Sequence, residues 1–275
     1  MKASRSRGAE KLSMNDLFHM AWRLLAVFAV LYVIAAILGH FWSLRLIFPR
    51  PPPSYALGAD HFQLTTPDGV KLAARHWANP AAKHTLLWFY GNGEDLGALE
   101  AYVTEWVRRG FAVMAVDYRG YGRSGGEPTE AAAYADAALA LDWLKNEKGV
   151  PASRIVLMGY SLGSGPAVEL ATREKVAGLI LIAPLVSAYR VMTNVPLLPG
   201  DKFVNVRKIP RIRCPVLILH GTVDRTVPFW HGKKLFELAP EPKRHLWVEG
   251  AGHGDLEDVA GERYWTAIRG FADSL

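Results

Sequence analysis

The sequence predicts an α/β domain, a mostly parallel central sheet covered by helices on both faces, preceded by one N-terminal apolar helix. Three observations lead there. Short runs such as TLLWFY (85–90) and VAGLILIAPL (176–185) are apolar on both faces, as strands of a doubly covered parallel sheet must be. Stretches of helix length alternate with them, the order that builds such a sheet. From Leu24 to Leu44 there is no Asp, Glu, Lys or Arg, and 21 residues of helix reach roughly 31 Å, about one bilayer core.

The apolar segment comes first in the chain. Trp22 and Trp42 stand near its ends, with Arg23 and Arg45 beside them, as interfacial anchors do. A cleaved signal peptide is the competing reading, but its apolar run is shorter and ends in small residues, whereas here LGHFW follows, without a lipoprotein cysteine. The expectation is therefore a basic cytoplasmic tail (1–22) and an uncleaved transmembrane signal anchor (23–45). More basic residues precede the span than follow it, which predicts a cytoplasmic N-terminus with residues 46–275 on the extracytoplasmic side. PRPPPSY (49–55) excludes regular helix and central strand, because proline lacks a donor and restricts its predecessor. Residues 46–58 read as a stiff proline-rich spacer, and 59–275 as the α/β domain.

Within that domain HFQLTT, the turn PDG and VKLAARHW read as a β-hairpin. TLLWFY is a buried strand entering the loop GNGEDLG, and LEAYVTEWVRRG an amphipathic helix closed by Gly110. FAVMAVDY is the next strand, followed by a long alanine-rich helix, TEAAAYADAALALDWLKNEKG, capped by Thr129. RIVLMGY is a strand, GSGPAVELATR a helix and VAGLILIAPL a strand. After an irregular stretch (186–213) come strand PVLILHG, helix HGKKLFELA, strand RHLWVEG and a final helix from about 257.

Charge and cysteine content exclude several classes. Of 32 basic and 26 acidic residues, the first fifty positions hold seven and two, leaving 25 and 24 to the rest. The net +6 thus belongs to the N-terminus beside the apolar segment, a topology signal rather than a nucleic-acid-binding face. A single cysteine, Cys214, permits neither an intrachain disulfide nor a cysteine zinc cluster, and beside Pro215 at the start of an apolar run it reads as a buried thiol. The histidines show no ligand spacing, so no metal is implied.

Chemistry in such sheets gathers at the carboxyl ends of the strands. GYSLG (159–163) lies between a strand and a helix, where a sharp turn lifts the serine hydroxyl above the sheet edge and small flanks allow the close approach. Asp224 in HGTVDRTVP and His253 in VEGAGHGD each follow a later strand. Alone, such residues are turn caps or structural histidines; together they complete the order Ser161, Asp224, His253, expected of nucleophile, orienting acid and base. FYGNGEDLG (89–97), with Asp117 twenty residues beyond Gly97, has a dinucleotide-binding look. Its spacing is G-x-G-x-x-x-G, however, and Glu94-Asp95 puts negative charge where a pyrophosphate would sit. It reads better as an oxyanion loop, with Asp117 anchoring the turn DYRGYGRSGG.

These stretches, with LTTPDGVKLAARHW, CPVLILHGTVDRTVPFWHGKKLFE and EGAGHGDL, resemble the α/β-hydrolase fold superfamily of serine hydrolases. Within it the chain is similar to the membrane-anchored branch related to Bem46 and the abhydrolase-13/17 type proteins. The resemblance covers most of residues 62–256. It implies a Ser161–His253–Asp224 triad, oxyanion donors at the backbone N–H groups of Asn92 and Leu162, and no cofactor. Tyr90 stands where relatives commonly carry His before Gly; the donor role is a backbone one and should survive. The stretch 186–213 is too short for a large cap, but VMTNVPLLPG (191–200) is apolar enough for a flap. The expected activity is hydrolysis of a carboxylic ester or thioester, lipid-like or acyl, met at the membrane through the N-terminal helix. A serine peptidase or amidase on the same fold is the alternative.

Overall fold

The computed structural model describes residues 13–275; of the expected basic tail, residues 1–12 lie outside the described residues. Two units are distinguished, one ending at Ser43 and one spanning Leu44–Leu275. In the first, helix α1 begins at Met14 and continues to Ile47. Its start is a reciprocal cap: the Asp16 amide donates to the Ser13 hydroxyl, and the Asp16 carboxylate accepts from the Ser13 amide and hydroxyl. The stretch Met14–Gly39, whose most apolar 18 residues have a mean hydropathy of 2.3, is long and apolar enough to cross a bilayer by length and composition. It starts nine residues before the segment expected from charge alone, because Asp16 and Arg23 do not interrupt the helix.

In the second unit eight strands form one sheet in the order β1-β2-β4-β3-β5-β6-β7-β8. The strands are β1 (His61–Thr65), β2 (Lys71–Trp77), β3 (Thr85–Phe89), β4 (Ala112–Val116), β5 (Ile155–Tyr160), β6 (Gly178–Ile182), β7 (Val216–Gly221) and β8 (Lys243–Val248). The first two make the expected hairpin, β2 runs antiparallel to β4, and every other pairing is parallel. β3 and β6 are buried along their whole length, which is why they read as unbroken apolar runs.

Helices α2 (Glu100–Arg108), α3 (Glu130–Asn146), α4 (Ser164–Arg173), α5 (Trp230–Leu238), α6 (Leu256–Ala260) and α7 (Glu262–Ala272) join the strands and close the domain. Two apolar clusters result, one containing Leu86, Met158, Ile180 and Leu217, the other Leu87, Leu157, Leu179 and Ile218. Neighbours along each strand fall into opposite clusters, as the two-residue period of a strand requires. The Thr129 hydroxyl accepts from the Ala132 amide and caps α3. The single helix expected from about 257 is two, broken at Gly261, whose φ of 54° ends α6.

The spacer is part of the second unit. Phe48 is buried, the Ser54 amide donates to Asp95 at 2.7 Å, and the Tyr55 hydroxyl donates to Asp117 at 2.5 Å. These contacts dock the proline-rich stretch on the α/β domain. Cys214 is buried, and burial pushes its thiol up to about 12.

Candidate active site

Strand β3 pairs with β4 on one side and β5 on the other, so the connections leaving these strands diverge at their carboxyl ends. That divergence is where parallel sheets hold their ligands. At this edge β5 ends at Tyr160, and the chain turns within three residues into α4. Ser161 occupies the turn with φ of 51°, a left-handed conformation costly for a residue with a side chain. The turn presses on the neighbouring strand: a Cβ at Gly163 would run into the Phe89 carbonyl, so only glycine fits.

Asp224 lies three residues beyond β7 and His253 five beyond β8. The structure brings both to Ser161. His253 Nδ1 is 2.8 Å from Asp224 Oδ2, and His253 Nε2 is 3.0 Å from Ser161 Oγ. With Nδ1–H donating to the carboxylate, Nε2 carries the lone pair that accepts the serine proton. Asp224 is fixed independently: Oδ1 accepts from the amides of Thr226 and Val227, each at 2.8 Å. Burial pushes its pKa up, yet hydrogen bonds from His220, His253 and the Val227 amide outweigh burial and hold it well below the usual carboxylate range.

Asn92 and Leu162 each stand three residues past a registered pair, Phe89 and Gly159, on adjacent strands. Leu162 follows Ser161 within the turn itself, and Asn92 lies in the loop that leaves the adjacent strand β3. The Asn92 carbonyl accepts from the Tyr121 hydroxyl at 3.1 Å, and its side chain donates to the Ile47 carbonyl at 3.0 Å. Tyr90 does not face the reacting groups. It is buried, its hydroxyl donates to Asp117 at 2.8 Å, and its carbonyl accepts from the Tyr118 hydroxyl at 2.8 Å. Asp117 also accepts from the amides of Leu96 and Arg123, the anchoring of the glycine-rich turn expected from the sequence.

Of four neighbours, three were not singled out by sequence patterns, and the fourth, Glu94, stood out only for its charge. His220, buried beneath Asp224, holds Nε2 at 2.8 Å from the Val227 carbonyl and 3.3 Å from Asp224 Oδ2. The Tyr160 ring lies 5.3 Å from that of His253, and its hydroxyl donates to the His253 carbonyl. Glu94 and Glu257 enter a cleft of about 100 Å³ beside His253. Tyr160 carried a signal in its place before the serine and Glu94 in its charge within the glycine loop; His220 and Glu257 meet the site through tertiary contacts. No group of three or more His, Cys, Asp and Glu arranged to hold a metal occurs among the described residues.

An eight-stranded, mostly parallel sheet with helices on both faces and a serine, histidine and aspartate gathered at its carboxyl edge defines an α/β hydrolase. The model of the serine aminopeptidase S33 family matches residues 80–206. The chain belongs to the family of alpha/beta hydrolase domain-containing protein 17: it is 40% identical over 200 residues to protein 17B of Homo sapiens, covering 71% of this chain and 69% of that one. It is also 40% identical over 205 residues to aho-3 of Caenorhabditis elegans, covering 70% of this chain but 59% of that protein's length. Among solved structures it is similar to an esterase of Pyrococcus furiosus (TM-score 0.68, 19% identity, 82% of this chain and 98% of that one). A monoacylglycerol lipase of Paleococcus ferrophilus is similar as well (TM-score 0.58, 21% identity, 74% and 98%).

Proposed function

We propose that this α/β hydrolase is a membrane-anchored serine hydrolase that cleaves carboxylic esters or thioesters through an acyl-enzyme. The observation that carries the reading is the continuous chain from Ser161 Oγ through His253 to Asp224, at 3.0 and 2.8 Å. Ser161 Oγ attacks the carbonyl carbon while its proton passes to His253 Nε2, and Asp224 stabilises the imidazolium. The backbone N–H groups of Asn92 and Leu162 receive the oxyanion; one such donor is worth about 2.7–4 kcal/mol in comparable sites. When the tetrahedral adduct collapses, the leaving alkoxide or thiolate takes the proton from His253. Water then attacks the acyl-serine, giving its proton to His253, and the free acid departs as Ser161 is reprotonated.

The apolar helix supports membrane attachment, and the excess of basic residues before it supports a cytoplasmic N-terminus with the catalytic domain on the extracytoplasmic side. A substrate with an acyl chain, met at the bilayer, fits that placement. The test is labelling with a fluorophosphonate probe: the wild-type chain should label, and Ser161→Ala should abolish labelling and lower kcat/KM for an ester by roughly 10³-fold or more. Labelling that persists in Ser161→Ala sinks the assignment. The match to a serine aminopeptidase family favours a second reading, peptide or amide cleavage. Faster turnover of an aminoacyl amide than of the matched ester would select it.

A further inference from the structure

The cleft beside His253 has an unusual lining for a pocket meant to take an alkyl chain. Tyr102 and Trp106 of α2, Tyr160 at the end of β5 and Tyr264 of α7 supply aromatic walls. Trp88 of β3 joins them, more than nine-tenths buried, and its indole N–H has no hydrogen-bond partner. Set among these rings are two carboxylates, Glu94 and Glu257. Neither is ion-paired among the described residues. Among the described residues the Glu94 side chain accepts only from the Gly91 amide at 3.1 Å, and that of Glu257 only from the Trp265 indole at 3.1 Å. Apart from His253, no basic side chain lines the cleft among the described residues. Arg109, whose charge reaches Glu257, is held by Glu105 and Glu262.

Partly buried carboxylates without a counter-ion are costly, and burial accordingly pushes both pKa values up. Alkyl chains would make this worse by removing the remaining water. A cation would relieve it, and aromatic faces attract a cation further, most strongly when it is desolvated. We propose that the cleft is a substrate subsite for an organic ammonium group, seated between Glu94 and Glu257 and against the faces of Trp106, Tyr102 and Tyr264. The substrate of Ser161 is then an acyl compound bearing a positive charge near its scissile bond. Aromatic walls on several sides favour a quaternary ammonium over a primary amine. The inference rests on the hydrolase reading for its reacting bond, but not for the cation site.

The test uses the full chain in detergent micelles. Esters identical at the scissile bond end in trimethylammonium, primary ammonium or the neutral isostere tert-butyl, with the group on the acyl side in one set and the alcohol side in another. In one set the better cationic member should exceed tert-butyl in kcat/KM by about tenfold or more. That ratio should collapse toward unity in Glu94→Gln/Glu257→Gln, where the amides still accept from Gly91 and Trp265. Because each ratio is internal to one protein, loss of some folded material does not imitate the effect. A neutral member that wins in both sets, or a ratio indifferent to the double substitution, overturns the proposal. If no ester is turned over, titration calorimetry of Ser161→Ala with tetramethylammonium decides. Saturable binding, weakened in the same chain carrying both glutamines, keeps the cation site while the hydrolase reading falls; absence of binding removes both.

Discussion

Ser161 holds its place in the turn, buried beside His253, at a backbone angle that a side chain disfavours, φ of 51°. Ser161→Gly should therefore raise stability by about 1 kcal/mol while ending probe labelling, a combination that thermal melts and labelling together would detect. Asp224 offers a second residue-scale expectation, with a definite sign. Its folded pKa lies below the ordinary value, so the stabilisation is present above the unfolded pKa of about 4 and is lost as pH falls through the lower folded value. Asp224→Asn cannot titrate. The Tm gap between wild type and this variant should be constant near pH 7 and narrow below about pH 4; a gap independent of pH would mean the hydrogen bonds do not hold the carboxylate. At neutral pH the same variant should lose roughly 10³- to 10⁴-fold in kcat, because the amide no longer selects the His253 tautomer that accepts from Ser161.

At the scale of elements, Gly163→Ala should cost on the order of 1–3 kcal/mol, since its methyl collides with the Phe89 carbonyl and must push β3 from the Ser161 turn. Denaturant melts measure the loss. Thr129→Ala, which only uncaps α3, should cost about 1 kcal/mol and leave probe labelling intact. Such elements were legible because their signals are local. Threonine before the alanine-rich run, PDG between two strands and the apolar runs of β3 and β6 each declare themselves within a few residues. Ser161 likewise has a local strand–turn–helix signal, whereas Asp224 and His253 read as site residues only through their order after successive strands. Glu94 showed its charge but not its purpose, and Glu257 lies in a helix whose pattern is unremarkable. Their convergence depends on how α2, α6 and α7 pack together over one face of the sheet, which no local window contains. The break at Gly261 was missed because a glycine amid helix formers does not reveal its φ.

The whole molecule joins an apolar helix to a catalytic domain, and its first expectation concerns partition. The full chain should stay with membranes through alkaline carbonate extraction; release into the supernatant would show that Met14–Gly39 does not span. Sequence composition separates an apolar part from an α/β part, and a proline-rich stretch looks like free linker whether or not it is docked. Here the docked stretch begins at Leu44, and Asn92 reaches back to the carbonyl of Ile47. This has a practical edge for anyone preparing a detergent-free enzyme. A truncation that starts at residue 44 keeps that acceptor and keeps Phe48 in its place. One that starts at Pro51, where the eye would put it, strips the acceptor from Asn92 and leaves a vacancy of one phenylalanine, about 3–5 kcal/mol by comparison with core truncations. Such a trimmed protein should be both frail and slow, and its sluggishness would then be a product of the cut, not a property of the enzyme.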